Sequence, residues 1–132
     1  MTDYRPKTFG FPKTEKLTGK KKIEELFKDG SSFFLHPFIL KYNAVAEGPH
    51  RILISVPKKK HKRAVDRNLI KRRIREAYRL NKALIYQEPT QFFHVGIIYQ
   101  DENILSYSEI EEKLLILLKR LANITAKSNE KN

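Results

Sequence analysis

A strongly basic stretch with helical periodicity, residues 58–79, constrains this chain more than any other feature. It holds eleven Lys or Arg and two acidic residues, so it carries a net charge of +9 out of the +12 of the whole 132-residue chain. With successive residues placed about 100° apart, Ile70, Ile74 and Ala77 fall on one side. The pattern predicts a long helix over residues 64–84 that buries this side and turns its cations outward.

The outward side of this predicted helix is polar and basic. Its members are Asn68, Lys71, Arg72, Arg75 and Arg79, with Arg67 at the margin. A basic loop precedes the helix and contributes Lys58, Lys59, Lys62 and Arg63. Like charges at helical spacing repel each other, so a merely solvated face explains this pattern less well than a surface for an anionic partner. Phosphates fit that description, because their neutralisation releases counterions and the guanidinium fork matches their geometry.

The composition sets the class of protein. A length of 132 residues with 40% hydrophobic residues predicts one domain over residues 17–124, with an extended segment at 1–16 and a disordered tail at 125–132. A sequence pI near 9.9 favours nucleic acid or an anionic membrane surface as partner. The absence of cysteine excludes disulfides and thiolate chemistry. The chain has no long apolar run and no signal pattern, which favours a cytoplasmic location.

Periodicity and turn residues predict the remaining elements. Helices are predicted at 18–28 and 106–123, and strands at 32–35, 38–45, 51–56 and 92–99. The predicted N-terminal caps are Thr18, Asp66 and a capping box of Ser108 with Glu111, while Gly30 is predicted to end the first helix. The order α-β-β-β-α-β-α predicts an α/β two-layer sandwich.

The segment SVPKKKHKRAVDRNLIKRRIREAYR resembles the signature of the protein subunit of bacterial ribonuclease P. The matching pairs are Lys58-Lys59, Arg67-Asn68, Lys71-Arg72 and Arg75-Glu76. The stretch KLTGKKKIEELFKDGSSF resembles the amino-terminal part of the same family, so the resemblance covers about residues 9–124. The chain departs from the family at Leu69, where the family has a third core Arg.

The resemblance implies a function without protein catalysis. Members of this family assist a catalytic RNA that removes the 5′ leader from precursor tRNA, and the RNA with its bound Mg²⁺ performs the hydrolysis. The expected partners are therefore the catalytic RNA and the leader, with no catalytic residue and no firmly bound metal on the protein. The four histidines, His36, His50, His61 and His94, are scattered in the sequence without the partners of a nuclease site. His94 lies in an apolar run and is interpreted as a packed residue.

The resemblance also implies two binding surfaces. The helix with the Arg-Asn pair would lie on the catalytic RNA, and a cleft between the first helix and the sheet would hold the single-stranded leader. The cleft residues would be Ile23 and Phe27 on the helix and Ile39 and Lys41 on the strand. Ordinary core packing of Ile23 and Phe27 is an equal alternative. The family fold further implies a mixed, ribosomal-protein-like four-stranded sheet with a left-handed β-α-β crossover.

Three other functions remain open at this point. A structural RNA-binding protein of ribosomal type would share the basic helix but need no cleft. A transcription factor of the helix-turn-helix class needs a second helix close to the recognition helix, whereas predicted strands flank this one. A self-sufficient ribonuclease would cleave RNA without an RNA partner.

Overall fold

A computed structural model describes residues 13–86 and 92–130 of the chain, with side chains as far as Ile124. Residues 1–12, which belong to the predicted extended segment, and residues 131–132 of the predicted tail lie outside the described part. One turn of 3₁₀-helix, Lys13–Glu15, opens the described chain. The elements that follow are α1 (Lys20–Asp29), β1 (Ser31–Leu35), β2 (Phe38–Val45), β3 (Arg51–Ser55), α2 (Ala64–Asn81), α3 (Ala83–Tyr86), β4 (Phe92–Tyr99) and α4 (Tyr107–Glu130).

The four strands form one mixed sheet in the order β1-β2-β4-β3. β1 pairs antiparallel with β2, and β2 pairs antiparallel with β4. β3 pairs parallel with β4, so the connection through α2 and α3 is a crossover between neighbouring parallel strands. This arrangement confirms the predicted four-stranded mixed sheet, while the handedness of the crossover stays a prediction.

The two faces of the sheet have different partners. Leu40 and Ile97 lie opposite each other in the ladder and are fully buried in the main core. The apolar stripes of α2 and α4 complete this core, which gives the predicted layer of helices on a sheet. On the other face, Lys41 lies opposite Gly96, and a β-carbon added to Gly96 would lie 3.3 Å from Leu26 Cδ2. Helix α1 therefore packs on the face that α2 and α4 leave open.

The predicted N-terminal caps are wrong in all three helices. Gly19 precedes α1 with a φ of 97°, a conformation that glycine adopts without strain, so Thr18 is not the cap. Arg63 precedes α2 without a side-chain capping bond, and Asp66 lies inside the first turn. In α4 the Glu109 N–H donates to Ser106 Oγ at 3.2 Å, so Ser106 replaces Ser108 as the capping side chain. By contrast, Gly30 ends α1 as predicted, and its N–H donates to the Leu26 carbonyl oxygen.

The ends of the two long helices also differ from the prediction. The helix predicted over 64–84 is interrupted at Lys82, which separates α2 from α3. Just before the break, Asn81 Nδ2 donates to the Ala77 carbonyl oxygen at 2.8 Å, where it competes with the backbone. Asn81 Nδ2 donates to Glu111 Oε2 and thereby joins α2 to α4, and the Tyr107 hydroxyl donates to the same oxygen from within α4. Glu111 is thus engaged in these two bonds and not in a capping box. Helix α4 continues past the predicted end at residue 123 to Glu130, into the segment predicted as a disordered tail.

A buried polar cluster joins the amino-terminal segment to the junction of α2 and α3. Lys82 Nζ donates to both carboxylate oxygens of Glu15 at 3.0 and 3.1 Å, and both side chains are almost fully buried. Beside this pair, the His50 N–H donates to the Tyr86 hydroxyl at 2.9 Å. His50 Nδ1 accepts from the Phe93 N–H, so its Nε2 carries the proton. Burial lowers the pKa of His50 from 6.5 to about 4.

Candidate nucleic-acid interface

Helix α2 presents the predicted polar side to solvent. Ile70, Ile74 and Ala77 are fully buried, which confirms the predicted apolar side. Asn68, Arg72 and Arg75 are exposed, while Lys71 and Arg79 are half-buried. The spacing of residues along the sequence was sufficient to predict this division, because helical geometry converts spacing directly into direction.

The basic loop before α2 has a defined position. Lys58, Lys59, Lys62 and Arg63 are exposed. Lys60 Nζ donates to the Gln100 carbonyl oxygen at 2.6 Å, and His61 Nε2 donates to the Asp101 carbonyl oxygen at 2.7 Å. These two bonds anchor the loop to the chain just after β4. Their partners lie 40 residues away, so the sequence gives no sign of them.

Some arginines of α2 are engaged within the protein. Arg67 Nη1 donates to the carbonyl oxygens of His61 and Lys62 at 2.9 and 2.8 Å, so Arg67 closes the basic loop onto the helix. Arg79 forms an ion pair with Glu76, and this hydrogen bond lowers the pKa of the Glu76 carboxyl. Arg73, which was not among the predicted site residues, donates to the Leu105 carbonyl oxygen at 2.6 Å.

Two of the predicted cations lie beside an open groove of about 250 Å³. Lys71 and Arg75 line it from α2, and Lys16 lines it from the amino-terminal segment. That segment reaches the groove because the Leu17 N–H donates to the Ile52 carbonyl oxygen of the edge strand β3 at 2.9 Å. Lys16 is thus a third cation of this region that sequence reasoning missed, since its position depends on a long-range backbone pairing. We refer to Lys16, Lys71 and Arg75 as the groove cations.

The predicted cleft residues of α1 are not part of the core. Leu26 is fully buried against the sheet, whereas Phe27 is 37% exposed and Ile23 is half-buried. Lys41 Nζ lies 6.0 Å from the centroid of the Phe27 ring and donates to the Phe27 carbonyl oxygen at 3.4 Å. The alternative for Ile23 and Phe27 was ordinary packing in the core. In α1 it is Leu26 that packs in this way. The structure brings Phe27 and Lys41 together on one side of α1.

The sheet supplies a floor beside α1. Ile39 lies opposite Phe34 on β1 and opposite Ile98 on β4, and Ile98 lies opposite Ser55 on β3. Alternation along β2 puts this row on the same face as Lys41. We call the surface formed by Ile23, Phe27, Ile39, Lys41 and Ile98 the cleft. Sequence reasoning identified its members on α1 and β2 but missed Ile98, because the contribution of β4 depends on strand pairing.

His94 lies on the same face, on the other side of α1. It pairs with Asn43 and Arg51 in the ladder and is half-buried. Burial is the main cause that lowers its pKa, and the positive charges of Arg51 and Lys22 lower it further. The environment therefore favours a neutral, packed imidazole, which agrees with the interpretation from sequence.

Among residues 13–86 and 92–130, no group of three or more His, Cys, Asp or Glu is arranged to hold a metal ion. No helix in this described part is long and apolar enough to cross a membrane.

Comparisons with known proteins agree on one family. The family model described as Ribonuclease P matches residues 11–122. The chain is 34% identical to the ribonuclease P protein component of Porphyromonas gingivalis, over 96% of this chain and 97% of that protein. It is 40% identical to the corresponding protein of Chlorobaculum tepidum, over 60% of this chain and 55% of that protein.

Solved structures show the same fold. The ribonuclease P protein from Thermotoga maritima superimposes with a TM-score of 0.69 at 29% identity and covers 80% of this chain and 96% of its own. The protein from Staphylococcus aureus superimposes with a TM-score of 0.70 at 28% identity, over 83% of this chain and 96% of its own.

Proposed function

The chain belongs to the ribonuclease P protein family, and we propose that it acts as the RNA-binding subunit of the enzyme that removes the 5′ leader from precursor tRNA. In this proposal the catalytic RNA subunit, with the Mg²⁺ that it holds, supplies the hydrolytic chemistry. The protein binds two RNA segments and contributes no catalytic residue. The proposal includes a cytoplasmic location, where precursor tRNA is processed.

The cations of α2 and its preceding loop are proposed to bind the catalytic RNA. Asn68, Arg72 and Arg75 are exposed, and the groove cations Lys16 and Lys71 line the open groove, so these side chains are placed to meet phosphates. Arginine suits this role because its planar fork donates two parallel hydrogen bonds to one phosphate. Contacts of this kind position an RNA backbone without reading its sequence.

The cleft is proposed to bind the single-stranded leader. The observation that carries this assignment is the exposed Phe27 ring beside the Lys41 ammonium, on a sheet face that α1 covers only in part. Aromatic and apolar side chains stack on bases of any sequence, and a nearby cation attracts the backbone phosphate. A protein that must accept the leaders of many precursor tRNAs requires this sequence tolerance.

The test is reconstitution with the cognate catalytic RNA at low Mg²⁺, with precursor tRNAs that carry leaders of increasing length. We expect the protein to increase affinity for precursor tRNA, with a gain that grows with leader length. Phe27→Ala is expected to remove about 1–3 kcal/mol of that gain, the usual contribution of one base stack.

Ile116→Ala is the matched control, because Ile116 is also 37% exposed but lies on α4, the helix that packs against the opposite sheet face. It should bind every leader as the unmodified protein does. An affinity independent of leader length would contradict the proposed function and favour a structural RNA-binding protein. Cleavage by the purified protein without RNA would contradict it as well.

A further inference from the structure

Phe34 is the most exposed large apolar side chain in the described part of the chain, at 68% exposure. It is the fourth of the five residues of β1, and its neighbour Phe33 points to the opposite face. Phe33 stacks on Tyr42 with ring centroids 4.9 Å apart and packs against the core. Phe33 is therefore the aromatic residue of β1 that packs against the core, whereas Phe34 lies on the face that carries the cleft.

The strand register places Phe34 at the outer end of the cleft floor. Phe34 lies opposite Ile39, and Ile39 lies opposite Ile98, so an apolar row crosses three strands. Phe34 is on β1, the edge strand. The next row on the same face, two residues along each strand, contains Lys41 and Gly96 and is covered by α1. The row of Phe34 thus continues the cleft floor past the helix to the border of the sheet.

The charges around this row favour an RNA strand over an apolar protein partner. Lys41 lies two residues along β2 from Ile39 on the same face. At the other end of the row, Ser55 precedes the loop with the exposed cations Lys58 and Lys59. An exposed aromatic ring on an edge strand risks aggregation unless a function requires it. An unpaired base fits the site, because it stacks on the ring while its phosphate stays near cations.

We propose that Phe34, supported by Ile39, is an additional base-stacking position of the cleft, which takes a leader nucleotide beyond those at Phe27 and Lys41. This inference rests on the proposed function. With this position, the cleft would bind a longer stretch of the leader, which reaches as far as the edge strand β1. It adds an aromatic contact on β1 to the one that α1 contributes through Phe27.

The experiment measures affinity of the reconstituted complex for the same series of leader lengths with Phe34→Ala, Phe34→Tyr and Phe34→Leu. Phe34→Ala should bind short leaders normally and lose about five- to tenfold in affinity once the leader is long enough to reach β1. Phe34→Tyr keeps the ring and should bind as the unmodified protein, and Phe34→Leu should fall between these two. Ile116→Ala again serves as the control on the other layer.

The outcomes separate the two proposals. If the unmodified protein shows a leader-length gain and Phe34→Ala shows the same gain, the stacking position is refuted and the proposed function stands. If the unmodified protein shows no such gain, the proposed function itself fails. An equal loss at every leader length refutes the position, because the effect is then not tied to a distal nucleotide. If Phe34→Ala instead abolishes self-association measured by sedimentation and leaves RNA affinity unchanged, the ring serves contact between two copies.

Discussion

Arg67 and Lys71 are one helical turn apart on α2, yet their side chains meet different surroundings. Arg67 Nη1 holds two carbonyl oxygens of the basic loop, at His61 and Lys62. Lys71 lines the open groove instead. Hydrogen bonds from a charged donor contribute more than neutral ones, so Arg67 stabilises the loop whether or not RNA is bound. A basic residue of the family signature, such as Arg67, can therefore contribute to a binding surface by holding its backbone in position.

Substitution of these two residues should separate the two roles. Lys71→Ala is expected to weaken RNA binding and to make the salt dependence of affinity shallower by about one ion per lost phosphate contact. Its free energy of unfolding should stay within about 0.5 kcal/mol of the unmodified value. Arg67→Ala should weaken RNA binding and also lower the free energy of unfolding by about 1–3 kcal/mol.

Urea unfolding and binding titrations over a range of salt concentrations measure both effects. An unchanged salt slope in Lys71→Ala would remove Lys71 from the interface. An unchanged stability in Arg67→Ala would mean that the loop holds its position without the guanidinium. Glu112→Ala, an exposed change on α4, controls for the general effect of altering surface charge.

The elements that carry the two proposed surfaces are connected through the amino-terminal segment. Residues 13–18 pair with β3 through the bond between Leu17 and Ile52, and they lead directly into α1. The same segment is joined to the end of α2 by the buried pair of Glu15 and Lys82. Each of these charges would be costly to bury away from water without the other. The pair therefore fixes the position of the amino-terminal segment against the end of α2.

Removal of one member of this pair should be strongly destabilising. Glu15→Gln or Lys82→Met is each expected to lower the free energy of unfolding by about 3–5 kcal/mol, because one buried charge loses its partner. The double variant Glu15→Gln/Lys82→Met should lose clearly less than the sum of the two single losses. A double-mutant cycle by urea unfolding provides the measurement, and additive losses would mean that the two charges do not stabilise each other.

In the whole molecule, the sheet divides α1 from the pair α2 and α4. One face holds the main core with α2 and α4, and the other holds α1 and the cleft. A small domain of this kind has little stability in reserve, so a buried titratable group affects the entire fold. His50, enclosed beside Tyr86 and Phe93, is such a group.

Global stability should therefore depend on pH through His50. The pKa of His50 has its ordinary value of 6.5 in the unfolded chain and is about 4 in the fold, so below pH 6.5 the unfolded chain binds more protons. Stability is at its full value above pH 6.5, falls by roughly 3 kcal/mol as the pH is lowered to about 4, and does not fall further from this cause.

Urea unfolding at a series of pH values, compared between the unmodified chain and His50→Gln, measures this contribution. The variant should show a flatter dependence between these pH values, whatever its stability at neutral pH. Parallel curves for the unmodified chain and His50→Gln would contradict the role of His50.

Local pattern was enough to predict most elements. The strand at 38–45 and the strand at 92–99 have the predicted bounds, since alternation and a long apolar run are properties of the segment itself. Helix caps were harder, because they depend on single hydrogen bonds: the Glu109 N–H selects Ser106 although Ser108 is equally suitable by residue type. The burial of Lys82 beside the helix break was also missed, because its partner Glu15 lies 67 residues earlier.

By itself, the sequence determined the apolar and basic sides of α2, the α/β order of elements and the family resemblance, because each is read from local patterns of residues taken in chain order. Only the tertiary structure decided that Arg67 holds the basic loop, that Lys16 joins Lys71 and Arg75, and that Phe34 and Ile98 lengthen the cleft. These placements depend on strand register and on docking of distant segments. Such contacts are determined by packing across the whole domain, and no local pattern encodes which residue lies opposite another.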